Sequence, residues 1–261
     1  MRILITGASG VVGRILTNAL AQTHSLILAD IRKPNETDDE SYLRIAARHA
    51  FAKVDVYERS AVQRLVKTFN PQAVVHLAAI LGRETPWEDV LHFNLVGAIN
   101  VLEISLSFRL ERVIYASTNN IYGGYEEDAI RAGQPLHLQT SPQLLSEDVT
   151  PRPDSRYAVA KLMVEKYASY LSTRHGLRTF GLRIGTVREL DDPGQQATEP
   201  ELIPRFRKTW LHHRDLVQLV ELSLRSSRSY GIYNAISGRP GTPGVFIDIS
   251  RAINDLGYSP E

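Results

Sequence analysis

Met1-Arg2-Ile3-Leu4-Ile5-Thr6-Gly7-Ala8-Ser9-Gly10-Val11-Val12-Gly13 is the stretch that decides the fold. Arg2 to Thr6 is aliphatic and β-branched and predicts a strand, while from Val11 to Leu20 the apolar residues recur at helical spacing. Between them the glycines fall at intervals of three. A strand-to-helix turn of this kind aims backbone N–H groups and a helix N-terminus at an anion, with glycine wherever a Cβ would block close approach. The spacing is GxxGxxG rather than the commoner GxGxxG, and taken alone it fits either a structural turn or a pyrophosphate cradle. The next strand, Leu26 to Ala29, favours the cradle because it closes on Asp30, 23 positions after Gly7. A carboxylate there accepts hydrogen bonds from both hydroxyls of an adenosine ribose and repels a 2′-phosphate, so NAD is expected rather than NADP. Arg32 and Lys33, just beyond, are either solvated loop charges or partners for such a phosphate. Ser9 is not in a GxSxG nucleophile turn, since Gly10 follows it directly.

The alternation continues outward. Val54 with its neighbours reads as a short strand before a helical stretch from Glu58 to Phe69, and Pro71 breaks the chain ahead of a buried strand at Ala73 to Ala78. A long helix from about Trp87 to Phe108 leads to the strand Arg112 to Ala116. Strands apolar throughout, alternating with helices, predict a doubly wound α/β fold of the Rossmann type: a parallel sheet covered on both faces. After Ser117 comes a long loop rich in glycine and proline, then a helix from Tyr157 to Arg174 and a strand from Leu177 to Ile184. Gly185 to Lys208 reads as loop and substrate-side structure, followed by a helix from Arg214 to Leu224, a strand at Gly231 to Ala235 and a terminal helix near Ile247 to Leu256. The expected division is a cofactor-binding domain over residues 1–183 and a small substrate-binding region over 184–261, with the last strand and helix returning to the sheet.

Composition narrows the partners. The 261 residues carry 30 Lys plus Arg against 29 Asp plus Glu, a formal charge of +1, so no basic excess points to nucleic acid or an anionic membrane. With no cysteine, disulfides, thiolate metal sites and a cysteine nucleophile are excluded. The longest apolar run, Ala73 to Leu81, is interrupted by His76 and falls short of the roughly 20 residues of a membrane span. The N-terminal residues lack a signal-peptide cleavage pattern, and a cytoplasmic protein is expected. The eight histidines show no metal-ligand spacing, so no metal is expected.

Candidate chemistry gathers in two places. Tyr157 and Lys161 stand four apart on one helix face, where an ammonium lowers the pKa of a phenol toward that of a general base; a plain surface pair has the same spacing. Thr118 ends the fifth strand, at the edge where a doubly wound sheet opens its crevice, and offers a hydroxyl to a substrate oxygen beside Tyr157. Asp55, after the third strand, suits either an adenine amine or the N-cap of the following helix.

Together the TGASGVVG loop, Asp30 with Ile31, Asp55-Val56, His76-Leu77-Ala78-Ala79, Asn94, Ser117-Thr118 with Ile121-Tyr122-Gly123, and the YAVAK helix resemble the extended short-chain dehydrogenase/reductases in their NAD-dependent epimerase/dehydratase branch. The resemblance spans almost the whole chain. It implies that Gly7, Ser9, Gly10, Val11, Val12, Gly13, Asp30, Ile31, Asp55, Val56, Leu77, Ala78, Ala79 and Asn94 bind NAD together with Tyr157 and Lys161. It further implies that Tyr157 is the acid/base, that Lys161 tunes it, that Thr118 stands where serine is usual, and that Asn94 either anchors a relay water or bonds only to backbone. Homo-oligomers are expected from the same source.

Most nucleotide-sugar members run well beyond this length, whereas only 78 residues follow Arg183 here, which favours a small sugar substrate. Pro86-Trp87-Glu88-Asp89-Val90, Arg152-Pro153-Asp154-Ser155, Arg183-Ile184-Gly185-Thr186 and Thr209-Trp210-Leu211 resemble the uronate dehydrogenases, which oxidise the anomeric carbon of a hexuronate to an aldarolactone. That resemblance makes Arg205 the cation for the substrate carboxylate, unless it is a surface arginine of the basic run Arg205, Arg207 and Lys208, and places Asn119, Asn120 and Thr186 around the sugar. Ala160 and Asn120 depart from the pattern, and the segment between Thr118 and Tyr157 is longer than usual. An NAD-dependent sugar epimerase or reductase, and a non-catalytic NAD sensor, are the alternative readings; an intact Thr118, Tyr157 and Lys161 argues against the sensor.

Overall fold

The computed structural model describes residues 1–34, 39–194 and 200–261. Seven strands lie in one sheet in the order β3-β2-β1-β4-β5-β6-β7, every neighbouring pair parallel. They are β1 (Arg2–Thr6), β2 (Ser25–Asp30), β3 (Ala50–Lys53), β4 (Ala73–His76), β5 (Arg112–Thr118), β6 (Thr179–Ile184) and β7 (Tyr230–Ala235). The chain runs outward from β1 to β3, returns to β4 and continues in the other direction, so the order reverses between β1 and β4. Beyond the strand C-termini at such a reversal the connecting loops diverge and leave a crevice.

Successive strand residues point to opposite faces, and the buried residues divide accordingly. Ile3 and Ile5 of β1 and Val75 of β4 pack on one face with Leu16 and Leu20 of α1 (Val11–Leu20), and Leu4 and Val74 pack on the other with Val62 and Leu65 of a later helix, Arg59–Phe69. This division is why the central strands read as continuously apolar.

Several expectations need correction. A helix over Glu40–Ala46 (α2, making Arg59–Phe69 α3) was not expected; Asp39 caps it by accepting from the Tyr42 N–H at 3.0 Å. The third strand lies just upstream of Val54, β4 stops at His76 rather than Ala78, and β5 continues through Ser117 and Thr118. The long helix α4 (Trp87–Ser107) contains a π-helical segment at Val90–Val96. Its 21 residues are apolar enough to cross a membrane by length and composition, but 56% of the most apolar window is buried within the fold, so core packing accounts for the apolarity. The long glycine- and proline-rich loop is partly helical, with a 3-10 turn at Asn119–Tyr122 and α5 at Gly123–Arg131. The remaining helices are α6 (Arg156–His175), α7 (Ile203–Thr209), α8 (His213–Arg225) and α9 (Ser250–Leu256). Of the stretch Gly185 to Lys208, residues 195–199 lie outside the described residues.

Candidate active site

The three glycines of the first turn answer to different demands. Gly7 has φ +75°, and a Cβ there would come within 2.6 Å of the Ala78 nitrogen; a Cβ on Gly13 would lie 2.2 Å from the Gly7 carbonyl oxygen. Backbone packing therefore dictates both. At exposed Gly10 a Cβ would meet only the Gly7 carbonyl oxygen, at 3.4 Å, so no atom of the chain requires glycine there. Gly10 faces a cleft of about 930 Å³, and α1 begins behind it with no side chain capping its N–H groups. A glycine spared by the protein but facing open space, before an uncapped helix N-terminus, fits a dinucleotide pyrophosphate.

Asp30 sets the adenosine end. One carboxylate oxygen accepts from the Ser9 N–H at 2.9 Å and the other from the Arg32 N–H at 3.0 Å. Each oxygen keeps capacity for a ribose hydroxyl. The Arg32 guanidinium donates to the Ser9 carbonyl at 2.7 Å, tying that cation to the turn. Ile31, Asp55, Val56, Leu77, Ala78 and Ala79 line the same cleft with Ser9, Val11 and Val12. Asp55 does not cap α3, whose N-cap is Glu58; it accepts from the Tyr57 N–H at 2.9 Å and faces the His92 ring at 3.1 Å. Asn94, in the π segment, accepts from the Ile80 N–H at 2.7 Å and donates to its carbonyl at 2.9 Å. Both of these bonds are to backbone.

Ser155 starts α6 by accepting the Ala158 N–H, which sets Tyr157 and Lys161 one turn apart facing the end of β5. The Lys161 ammonium lies 5.7 Å from the Tyr157 ring centre. Burial raises the Tyr157 phenol to about 12, with the neighbouring Thr118 hydroxyl pulling it down, and burial lowers Lys161 to about 8. Burial, rather than the charge of Lys161, governs the phenol here. Ser117, one residue before Thr118, points the other way and donates to Glu165 at 2.6 Å behind the strand. Glu165 in turn holds Arg183 in a two-pronged pair, and Arg183 donates to the Tyr122 hydroxyl at 2.6 Å. Buried His76 bonds Thr6 at 2.7 Å and is held neutral, lowered to about 3 by burial and then by the Lys161 charge.

The expected sugar-side residues line the same cleft. Asn119 is buried and lines the cleft, and its amide nitrogen has no hydrogen-bond partner. Asn120 lies beside it, and Thr186 closes the wall through hydroxyl contact with Thr209 at 2.9 Å. Arg205 lines the cleft and is no surface arginine: its side chain is 20% exposed, and its fork grips Glu126 at 2.5 and 2.7 Å. Glu126 and Glu165 were not singled out from sequence, and His76 entered the resemblance only as part of the motif His76-Leu77-Ala78-Ala79. Only the length of the segment carrying Glu126 signalled that this wall differs.

The sequence matches the NAD dependent epimerase/dehydratase family over residues 3–230. The chain belongs to that family. It is 31% identical over 265 residues to the L-arabinose 1-dehydrogenase (NAD(P)(+)) of Haloferax volcanii, covering 99% of this chain and 96% of that protein. It is 29% identical over 262 residues to the uronate dehydrogenase of Pseudomonas syringae pv. tomato, covering 100% and 82%. A solved mutated uronate dehydrogenase superposes with a TM-score of 0.78 at 25% identity, covering 100% of this chain and 81% of the other. As a member of the epimerase/dehydratase family the protein is an NAD-dependent enzyme.

Proposed function

We propose that the protein oxidises the anomeric hydroxyl of a small free sugar or sugar acid to the lactone, with NAD as oxidant. The observation that carries this reading is the meeting of Thr118 and Tyr157 in the cleft that also holds the glycine turn, opposite a wall built from short segments such as α7. NAD supplies the hydride acceptor for the C1 hydrogen. Thr118 holds the anomeric oxygen, Tyr157 takes its proton as the phenolate, and the Lys161 ammonium beside it stabilises that phenolate against the burial that otherwise keeps the phenol protonated. Asn119 and Asn120 meet the ring hydroxyls, with the unpartnered Asn119 amide donating to one of them. Domain 1–183 holds the cofactor and 184–261 contributes the sugar-side wall. The need for a soluble NAD pool supports a cytoplasmic location, and half-exposed Val159, Met163 and Tyr170 on α6 support self-association.

NADH formation across free aldoses and uronates tests the reading; an epimerase would restore its cofactor and accumulate none. Tyr157→Phe is expected to lower turnover by at least about 100-fold while NAD still binds. Silence across the panel, or a fully active Tyr157→Phe, overturns it.

A further inference from the structure

We propose that Glu126 is a specificity residue: by filling the Arg205 fork it makes the sugar-facing wall reject a carboxylate, so that the substrate is a neutral aldose rather than a uronate. The inference rests on the anomeric-oxidation reading and narrows its substrate class. A uronate differs from its parent aldose only at C6, where a carboxylate replaces a hydroxymethyl group. Recognising that carboxylate calls for a guanidinium with both prongs available. The Nε–Nη2 side of the Arg205 fork is spent on Glu126, which is only 9% exposed and already balances the guanidinium charge. A substrate carboxylate taking that side would displace Glu126 and strand a buried charge, and one meeting the remaining Nη1 end would stand beside the Glu126 carboxylate; either is costly.

The surrounding charges point the same way. Asp154, 6% exposed, lies close enough to feel both members of the pair, and burial raises its carboxyl. Arg83 on the cleft rim is shared between Glu127 at 2.9 Å and Asp154 at 3.5 Å. Lys208 donates to the Pro243 carbonyl at 2.7 Å, and burial lowers the His137 imidazole toward its neutral form. Arg188 lies over the Phe206 ring at 5.2 Å, and its neighbour Glu189 is tied to Arg14 of α1, toward the cofactor end. A uronate carboxylate reaching Arg205 would therefore join the Glu126 and Asp154 carboxylates beside a guanidinium that Glu126 already engages. A hydroxymethyl group, or the bare ring of a pentose, brings no charge into that cluster. Glu126 sits on α5, within the segment between Thr118 and Tyr157 that is longer than the family pattern, so the departure in length supplies the neutralising carboxylate.

The experiment compares D-galactose with D-galacturonate and D-glucose with D-glucuronate, with L-arabinose as the pentose lacking C6, each with NAD and the full chain. The expected result is kcat/KM for the better neutral member about 100-fold above that of its uronate. In Glu126→Gln this ratio should fall by at least about tenfold, mainly through a lower KM for the uronate. A wild-type preference for either uronate overturns the inference and leaves anomeric oxidation standing. An unchanged ratio in a folded Glu126→Gln removes Glu126 from the role. Should that variant fail to fold, the wild-type pairs still decide. No NADH from any of the five sugars overturns the anomeric-oxidation reading, and this inference with it.

Discussion

Glu165 and Arg183 meet in a two-pronged pair behind β5, and Glu126 and Arg205 meet in another at the wall of the cleft. The first pair is sealed, with side chains 3% and 4% exposed, and further bonds tie both members to protein: Ser117 donates to Glu165, and Arg183 reaches Tyr122, which donates to Asn234 at 2.9 Å. Those bonds join β5, β6, β7 and α6, the elements that carry Thr118 and Tyr157. The second pair joins α5 to α7 and keeps an edge on the cleft. The same chemistry therefore has two consequences. A buried pair whose neighbours are all protein fixes a frame, and a pair beside a ligand space decides which charges that space accepts.

The largest expected effect separates the two. Glu165→Ala strands the Arg183 guanidinium in the interior and is expected to cost about 3–5 kcal/mol, a fall in Tm on the order of 10 °C. Glu126→Ala leaves Arg205 at a cleft where water and Asp154 reach it, and about half that cost or less is expected. Thermal unfolding of the two variants side by side measures the difference; equal losses would mean that the pair at the cleft is framework too.

Next in size is the adenosine end. Replacing Asp30 with alanine removes the acceptor of the Ser9 and Arg32 N–H groups and the repulsion of a 2′-phosphate, so NAD preference over NADP should fall by about tenfold. Titration of both dinucleotides checks it, and an unaltered preference would shift selection to another group. Asp30 was readable in the sequence for a physical reason: strand, glycine turn, helix and strand-terminal acid are local patterns, and Gly7 and Gly13 are imposed by backbone contacts within their own unit. The pairs were not readable. Glu126 and Arg205 stand 79 residues apart in a chain with 29 acidic and 30 basic side chains, and no local periodicity says which acid meets which base. Spacing on a helix likewise gives the proximity of Tyr157 to Lys161 but not the depth of burial that raises the phenol.

The smallest effects test the boundary between frame and cleft one residue at a time. Ser117 and Thr118 are neighbours with similar hydroxyls, but strand alternation sends one to Glu165 and the other to Tyr157. Ser117→Ala removes one bond to a carboxylate still held by Arg183, so about 1 kcal/mol of stability should go. Thr118→Val keeps the shape and removes the hydroxyl proposed to hold the substrate oxygen, so turnover should fall by about tenfold, while loss of the bond from the Asn120 N–H costs on the order of 1 kcal/mol as well. Turnover, and not unfolding, should therefore tell the two variants apart. If Ser117→Ala were the one to lose turnover, the sealed pair would be acting through the strand on the chemistry, and frame and cleft could no longer be treated apart.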